Sequence, residues 1–109
     1  MSDSARIQPM LSIVVPAYNE EATLSEVVAQ LLAVSHADEI VIVDDCSTDR
    51  TGAIADRLAA KDPRVKVAHH SVNRGNTEAL KTGERLALSR LRVLAWGLRY
   101  LGNRESTLR

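Results

Sequence analysis

The hydrophobic and polar positions of this chain divide it into short apolar runs and longer amphipathic segments. Unbroken apolar runs at residues 13–15 and 40–43 are typical of strands that are buried on both faces. An alternating run at residues 65–69 predicts a third strand, nearer the edge of a sheet. Apolar residues at helical spacing follow the first two strands, at Leu24, Val27, Val28, Leu31, Leu32, Ile54 and Leu58. This order of strands and helices predicts an α/β fold with a three-stranded parallel sheet flanked by helices.

Polar residues mark where these elements begin and end. Pro16 stops the first strand, because proline cannot donate a hydrogen bond to a neighbouring strand. Asn19 is predicted to cap the first helix, and Thr48 or Asp49 the second. The second helix should end before Pro63, and residues 73–75 should form a turn before a third helix.

The third helix is predicted to be long. Starting near Thr77, leucines recur with seven-residue character as far as Leu101, and arginines form a second stripe beside them. We therefore expect a long C-terminal helix that supports self-association. It should pack through Leu91, Leu94 and Leu98. The alternative that stays open is an unfolded tail produced by a frame shift.

Composition narrows the possible classes of protein. The 109 residues suffice for one small domain, and its core must be aliphatic because aromatic residues make up only 3%. A formal net charge of zero argues against nucleic acid as a partner. Residues 1–76 carry 7 basic and 11 acidic side chains, a net of −4, and residues 77–109 carry 7 and 3, a net of +4. The one cysteine, Cys46, fits a reducing compartment, and we expect a cytoplasmic protein.

The candidate site lies where two predicted strands end. Asp44 and Asp45 follow the central strand directly, and Tyr18 and Glu20 follow its neighbour. Open parallel sheets bind ligands at the carboxyl ends of their strands, so these residues should share one crevice. A ring, carboxylates and helix amides suit a nucleotide. The alternative is a solvated turn with a helix cap.

Two common nucleotide motifs and one phosphoacceptor pattern do not fit. Neither the glycine-rich dinucleotide turn nor the phosphate-binding loop with Gly-Lys-Ser/Thr occurs in the sequence. Phosphoacceptor receiver domains also carry paired Asp residues, but after the first strand. Here the pair follows the second strand, so we favour a sugar-nucleotide site.

Two ten-residue motifs resemble the opening motifs of family-two glycosyltransferases, whose fold is called GT-A. They are Ser-Ile-Val-Val-Pro-Ala-Tyr-Asn-Glu-Glu at 12–21 and Ile-Val-Asp-Asp-Cys-Ser-Thr-Asp-Arg-Thr at 42–51. The later segments 73–75 and 79–83 match as well. Within the family, the sequence most resembles the enzymes that transfer sugars to polyprenyl phosphates. It implies a Rossmann-like, partial GT-A fold and transfer of a sugar from a nucleotide-diphosphate donor to an acceptor.

The resemblance also implies roles for particular residues. Those it assigns to nucleotide binding are Pro16, Ala17, Tyr18, Glu20, Asp44, Asp45 and Lys81. The first three would line the base pocket, and Glu20 would reach the ribose or base. Asp44 would accept from the base N–H, and Asp45 would support the turn or the diphosphate-metal region. Lys81 would approach the phosphates, or else be an ordinary exposed helix residue. His69 and His70 are expected to be strand-end residues without a ligand role.

The sequence departs from the family in three ways. Cys46 stands where the family usually has Gly, which is strained if the backbone there needs a positive φ. The Asp-x-Asp motif that holds a divalent cation, Mg or Mn, in the full family does not occur. After Gly83 the sequence no longer looks like the family. We therefore expect a lead at 1–10, a nucleotide-sugar-binding half at 11–83 and a basic Leu/Arg-rich helical tail at 84–109.

Three functions remain open at this point. The first is a glycosyltransferase that is incomplete and inactive as this chain alone. The second is a truncated or frame-shifted, non-catalytic nucleotide-binding remnant. The third is a small interaction module whose basic tail docks on a partner or makes peripheral contact with the inner face of a membrane.

Overall fold

The computed structural model describes residues 11–34, 37–88 and 91–94. Within them the chain alternates strands and helices. The strands are β1 (Leu11–Ala17), β2 (Glu39–Asp44), β3 (Val65–His69) and β4 (Leu91–Leu94). The helices are α1 (Leu24–Val34), α2 (Thr51–Lys61) and α3 (Asn76–Leu86). The predicted α/β class and its three parallel strands are confirmed, and β4 is an addition to them.

All four strands belong to one parallel sheet in the order β3-β2-β1-β4. Successive strands run to one side of β1, and β4 then pairs with its other edge. The order therefore reverses next to β1, and such a reversal is where open α/β sheets form a ligand crevice. The prediction that the third strand lies at an edge is confirmed.

Both faces of the sheet are covered. On one face, Ile13, Val15, Ile40 and Ile42 pack against the apolar sides of α1 and α2. On the other, the alternate residues of the same strands, together with Ala79 of α3, form a smaller cluster. Every residue of β2 and all of β1 after Leu11 is buried. The middle positions of the two central strands, 13–15 and 40–43, are all apolar because neither strand has a solvent-facing side.

A glycine allows α3 to lie close against β1. A Cβ placed on Gly83 would come within 2.1 Å of Val14 Cγ1. The sequence presents this glycine only as a residue that weakens a helix. In the fold its missing side chain sets the distance between helix and sheet.

The predicted long C-terminal helix is wrong. α3 ends at Leu86, Ala87 is extended with ψ 137°, and Leu91 and Leu94 lie in β4. Without β4, the second edge of β1 would leave a row of unpaired backbone N–H and C=O groups, and pairing with β4 satisfies them. Leu98 and Leu101 lie outside the described residues.

A buried carboxylate joins several elements at the amino end of the sheet. Glu39 of β2 accepts hydrogen bonds from the Ser12 hydroxyl at 2.5 Å and the Leu88 amide at 2.7 Å. Its other oxygen forms an ion pair with Lys66 Nζ of β3 at 2.6 Å. Burial would raise the pKa of the Glu39 carboxyl, but these three donors outweigh it and lower the pKa below the ordinary value.

Candidate nucleotide-binding site

The carboxyl ends of β1 and β2 lie side by side, as predicted. In the strand register Pro16 is opposite Val43 and Ala17 is opposite Asp44. The Asp45 amide continues the pairing by donating to the Ala17 carbonyl at 2.9 Å. Tyr18 follows directly and is 41% exposed, which leaves its ring available to a ligand. The structure therefore brings Pro16, Ala17, Asp44 and Asp45 together, with Tyr18 next to them along the chain.

The loop after β1 is tied to the loop after β2. Asn19, with φ +52°, donates its amide to Ser47 Oγ at 3.0 Å and accepts from the Thr48 amide at 2.8 Å. The Glu20 amide donates to Thr51 Oγ1 at 2.8 Å. Asn19 is thus a bridge between loops, and the prediction that it caps α1 is wrong because a turn at residues 21–23 precedes that helix.

The start of α2 depends on a predicted residue. Arg50, which precedes the helix, gives no side-chain cap. Asp49 Oδ1 instead accepts from the Thr51 amide at 2.8 Å and from the Thr51 hydroxyl at 2.5 Å. Asp49 therefore satisfies an amide of the first helical turn, although the residue at the N-cap position is Arg50 and not the predicted Thr48 or Asp49.

Asp45 is a buried carboxylate that organises the turn after β3. Its Oδ1 accepts from the Arg74 amide at 2.8 Å and lies 2.7 Å from His70 Nδ1, and its Oδ2 accepts from the Gly75 amide at 2.8 Å. Burial would raise the pKa of the Asp45 carboxyl, but the Arg74 amide, the His70 ring and the Gly75 amide hold it below the ordinary value. Gly75 has φ +94°, a conformation that glycine adopts without strain.

Asp44 has fewer protein partners than Asp45. Its Oδ1 accepts from the Ser47 amide at 3.1 Å, and its Oδ2 lies 2.9 Å from His69 Nδ1. The side chain is only 7% exposed. A carboxylate has about four acceptor positions, so Asp44 keeps unused acceptor capacity on both oxygens.

Each strand-end aspartate contacts a histidine. β2 and β3 pair in register so that Asp44 is opposite His69, and the Asp45–His70 contact follows one residue later. His70 Nε2 also lies 2.7 Å from Thr82 Oγ1 of α3. Both histidines lie at the strand end, as predicted, but their contacts with the aspartates were not predicted. The sequence signal for these contacts was one Asp-Asp pair and one His-His pair, each at the end of one of two neighbouring parallel strands.

The two other predicted site residues, Glu20 and Lys81, contact residues other than the aspartates. Glu20 is half-buried, and its carboxylate lies 3.5 Å from Thr23 Oγ1. Lys81 is on α3 with a 59% exposed side chain, 3.5 Å from the Glu78 carboxylate. Within the described ranges, no hydrogen bond or ion pair joins Lys81 to the strand-end aspartates.

The described residues do not fit a metal site. Among residues 11–34, 37–88 and 91–94, no three His, Cys, Asp or Glu side chains come together in a group that could hold a metal ion. The chemistry that this region itself offers is hydrogen-bond acceptance by buried carboxylates beside an exposed aromatic ring. In the same part of the chain, no helix is long and apolar enough to cross a membrane.

Solved structures with the same fold contain a nucleotide sugar or a nucleotide. A mannosyltransferase from Pyrobaculum calidifontis in complex with GDP-Man and Mn²⁺ superposes with a TM-score of 0.70 and 28% identity, over 78% of this chain and 26% of that one. S. aureus TarS 1-349 in complex with UDP superposes with a TM-score of 0.69 and 28% identity, over 79% and 26%. The predicted GT-A fold is confirmed.

Sequence relatives point to the same family. A Bacillus subtilis protein described as the uncharacterized glycosyltransferase EpsJ is 40% identical over 80 residues, which are 72% of this chain and 23% of that protein. Polyprenol monophosphomannose synthase of Mycolicibacterium smegmatis is 35% identical over 100 residues, which are 89% of this chain and 34% of the synthase. This chain thus spans about a quarter to a third of their length. The family model of glycosyl transferase family 2 matches residues 12–96, and the chain belongs to that family.

Proposed function

We propose that the strand ends of β1 and β2 bind the nucleoside diphosphate of a nucleotide-sugar donor in a family-two glycosyltransferase. The observation that carries the proposal is the pair of buried aspartates at the end of β2, next to the end of β1 from which the exposed Tyr18 follows. Related solved proteins supply the ligand class, because they hold GDP-Man with Mn²⁺, or UDP. In this assignment Pro16, Ala17 and Tyr18 line the base pocket, and Glu20 reaches the ribose or base.

The two aspartates take different roles in this proposal. Asp45 already has three hydrogen-bond partners, which suits support of the turn at residues 73–75. Asp44 has two and keeps free acceptor capacity on each oxygen. Asp44 therefore accepts the hydrogen bond from the base N–H. Lys81 is exposed and approaches the phosphates only when a donor is bound.

Calorimetric titration of the full chain with UDP and with GDP tests this assignment. Asp44→Asn keeps the shape of the side chain and removes its charge. Because a hydrogen bond to a charged group contributes about 1.5–3 kcal/mol, we expect Kd to rise about tenfold or more. Glu26→Gln removes an exposed carboxylate on α1 and should leave Kd unchanged.

Two results would contradict the assignment. Equal affinity of wild type and Asp44→Asn would remove Asp44 from the base site. Weakened binding by Asp45→Asn alone, with both variants folded by circular dichroism, would move the base contact to Asp45.

We also propose that this chain alone binds the donor without transferring its sugar, with a polyprenyl phosphate as the acceptor of the family reaction. The absent Asp-x-Asp motif supports the first part. Likeness to the polyprenol monophosphomannose synthase supports a polyprenyl phosphate as the acceptor. Because such an acceptor is a membrane lipid, we also propose a cytoplasmic protein in peripheral contact with a membrane. Turnover of a radiolabelled donor by the purified chain, above a no-enzyme control, would contradict the non-catalytic role.

A further inference from the structure

The ring of His69 lies between two carboxylates. Its Nδ1 is 2.9 Å from Asp44 Oδ2 at the end of β2, and its Nε2 is 2.8 Å from Asp56 Oδ1 on α2. The Asp44 side chain is 7% exposed, whereas that of Asp56 is 64% exposed. The ring therefore connects a buried carboxylate at the candidate site with an exposed one outside it.

The hydrogen-bonding chemistry of these partners fixes the charge of the ring. An ionised carboxylate only accepts hydrogen bonds, and a neutral imidazole has only one N–H to donate. Both contacts can be hydrogen bonds at once only if both ring nitrogens carry a proton. The neighbouring His70 has no such requirement, because its second partner is the Thr82 hydroxyl, which can itself donate to the ring.

The surroundings of the ring support the charged form. The hydrogen bonds to Asp56 and then to Asp44 raise the pKa of the His69 imidazole above its ordinary value, while partial burial opposes them. Asp44 from β2 and Asp56 from α2 are the charged groups that act on the ring within the described part of the chain. Within the same described residues, no cation is among the groups that act against protonation of the His69 ring.

The packing of α2 leaves the pair little freedom. A Cβ placed on Gly52 would lie 2.8 Å from Asp44 Oδ2 and 3.4 Å from His69 Cε1. The helix backbone therefore passes close over the Asp44–His69 contact, and only a glycine at this position leaves room for it.

We propose that His69, held as an imidazolium between Asp44 and Asp56, is a positioning residue that orients Asp44 for the nucleotide base. The inference rests on the base contact proposed above for Asp44. When the ring loses a proton, it can donate to only one of the two carboxylates, and Asp44 loses a hydrogen bond wherever the remaining N–H donates to Asp56. Positioning is complete below the titration midpoint of His69 and is partly lost as the pH rises through it.

The protonation state can be measured without any nucleotide. ¹⁵N NMR of the imidazole rings in the full chain, followed over about pH 5 to 9, should give His69 a midpoint above that of an ordinary histidine. Asp56→Asn should lower this midpoint, and Glu26→Gln should not change it. A His69 midpoint at or below the ordinary value, or one unaffected by Asp56→Asn, would overturn the bridge.

The positioning role is measured by nucleotide affinity across the same pH range. Kd for UDP or GDP should rise about three- to tenfold as His69 loses its proton, as expected for partial loss of a charged hydrogen bond. Asp56→Asn should move this rise in Kd to lower pH, together with the NMR midpoint of His69. His70→Gln should leave the midpoint of the rise in Kd unchanged. A merely structural role would not produce the coupled shift.

The outcomes separate this inference from the proposed function. A constant Kd while His69 titrates would overturn the positioning role and leave the nucleotide site intact. No binding at any pH would overturn the nucleotide site and the positioning role together, while the NMR midpoints would still decide whether the bridge exists.

Discussion

Cys46 has a strained backbone conformation next to the candidate site. It has φ +63°, in the left-handed region that favours glycine, and it lies between Asp45 and Ser47. Its thiol lies 3.5 Å from the Ser71 carbonyl, a weak contact. A β-carbon in this conformation costs roughly 1–2 kcal/mol. Strain at Cys46 was predicted if the backbone there has a positive φ, and the observed φ is positive.

Replacing Cys46 should therefore reveal the strain. Cys46→Gly removes the β-carbon, and we expect the free energy of unfolding to rise by up to about 1 kcal/mol, after the greater entropy of glycine in the unfolded chain is subtracted. Cys46→Ala is the matched control, because it removes the thiol and keeps the strain, and it should give no gain. Urea denaturation measures both variants, and equal stability of the glycine and alanine variants would contradict the strain.

Individual site residues were predictable where one local pattern determined them. Asp44 and Asp45 follow an apolar run, and their place at a strand end follows from that run alone. Their contacts with His69 and His70 depend on the register between β2 and β3, which no local pattern contains. The same holds for Asn19, whose partners lie in another loop 28 and 29 residues away.

At the scale of the elements, prediction succeeded where hydrophobic period and chain position agreed, and failed after α3. The seven-residue leucine repeat beyond Thr77 predicts a continued helix. In the fold, the unpaired edge of β1 offers backbone hydrogen bonds to any extended segment that reaches it, and β4 occupies that edge. Tertiary pairing of this kind overrides local periodicity, so the end of α3 could not be derived from the segment itself.

Glu39 contacts β1, β3 and the segment after α3, so its removal should lower the stability of the fold. In Glu39→Gln the charge is lost while the Ser12 and Leu88 donors remain, and we expect the free energy of unfolding at pH 7 to fall by about 1–3 kcal/mol. The folded pKa of Glu39 is lowered, so its contribution is present above the ordinary value of 4.5 and is lost as the pH falls below it.

Denaturation at several pH values checks this prediction. The difference in stability between wild type and Glu39→Gln should shrink as the pH falls from about 4.5 through the lowered pKa of folded Glu39, because both side chains are neutral below that pKa. Glu26→Gln should show no comparable change. A stability difference that stays constant from pH 7 to pH 3 would show that charge at Glu39 is unimportant.

For the whole molecule, the family match extends to residue 96, which includes β4 and passes beyond Gly83. The division into a lead, a binding half and a tail stays a prediction. Self-association also stays a prediction. The long helix expected to support it is not formed at Leu91 and Leu94, which lie in β4.

The position of β4 determines when β1 gains its second neighbour during synthesis. β1 leaves the ribosome before the other described strands, yet it lies between two of them in the sheet, and its pairing with β4 joins Leu11 to Leu91. A nascent chain that ends before residue 91 therefore carries β1 with one edge open, and an open edge recruits other chains. Stalled nascent chains in which only residues up to 88 have emerged should bind chaperones and be cleaved within β1 by added protease, whereas stalled chains in which residue 94 has emerged should be protected there. Equal cleavage within β1 in both would show that β4 does not protect this strand.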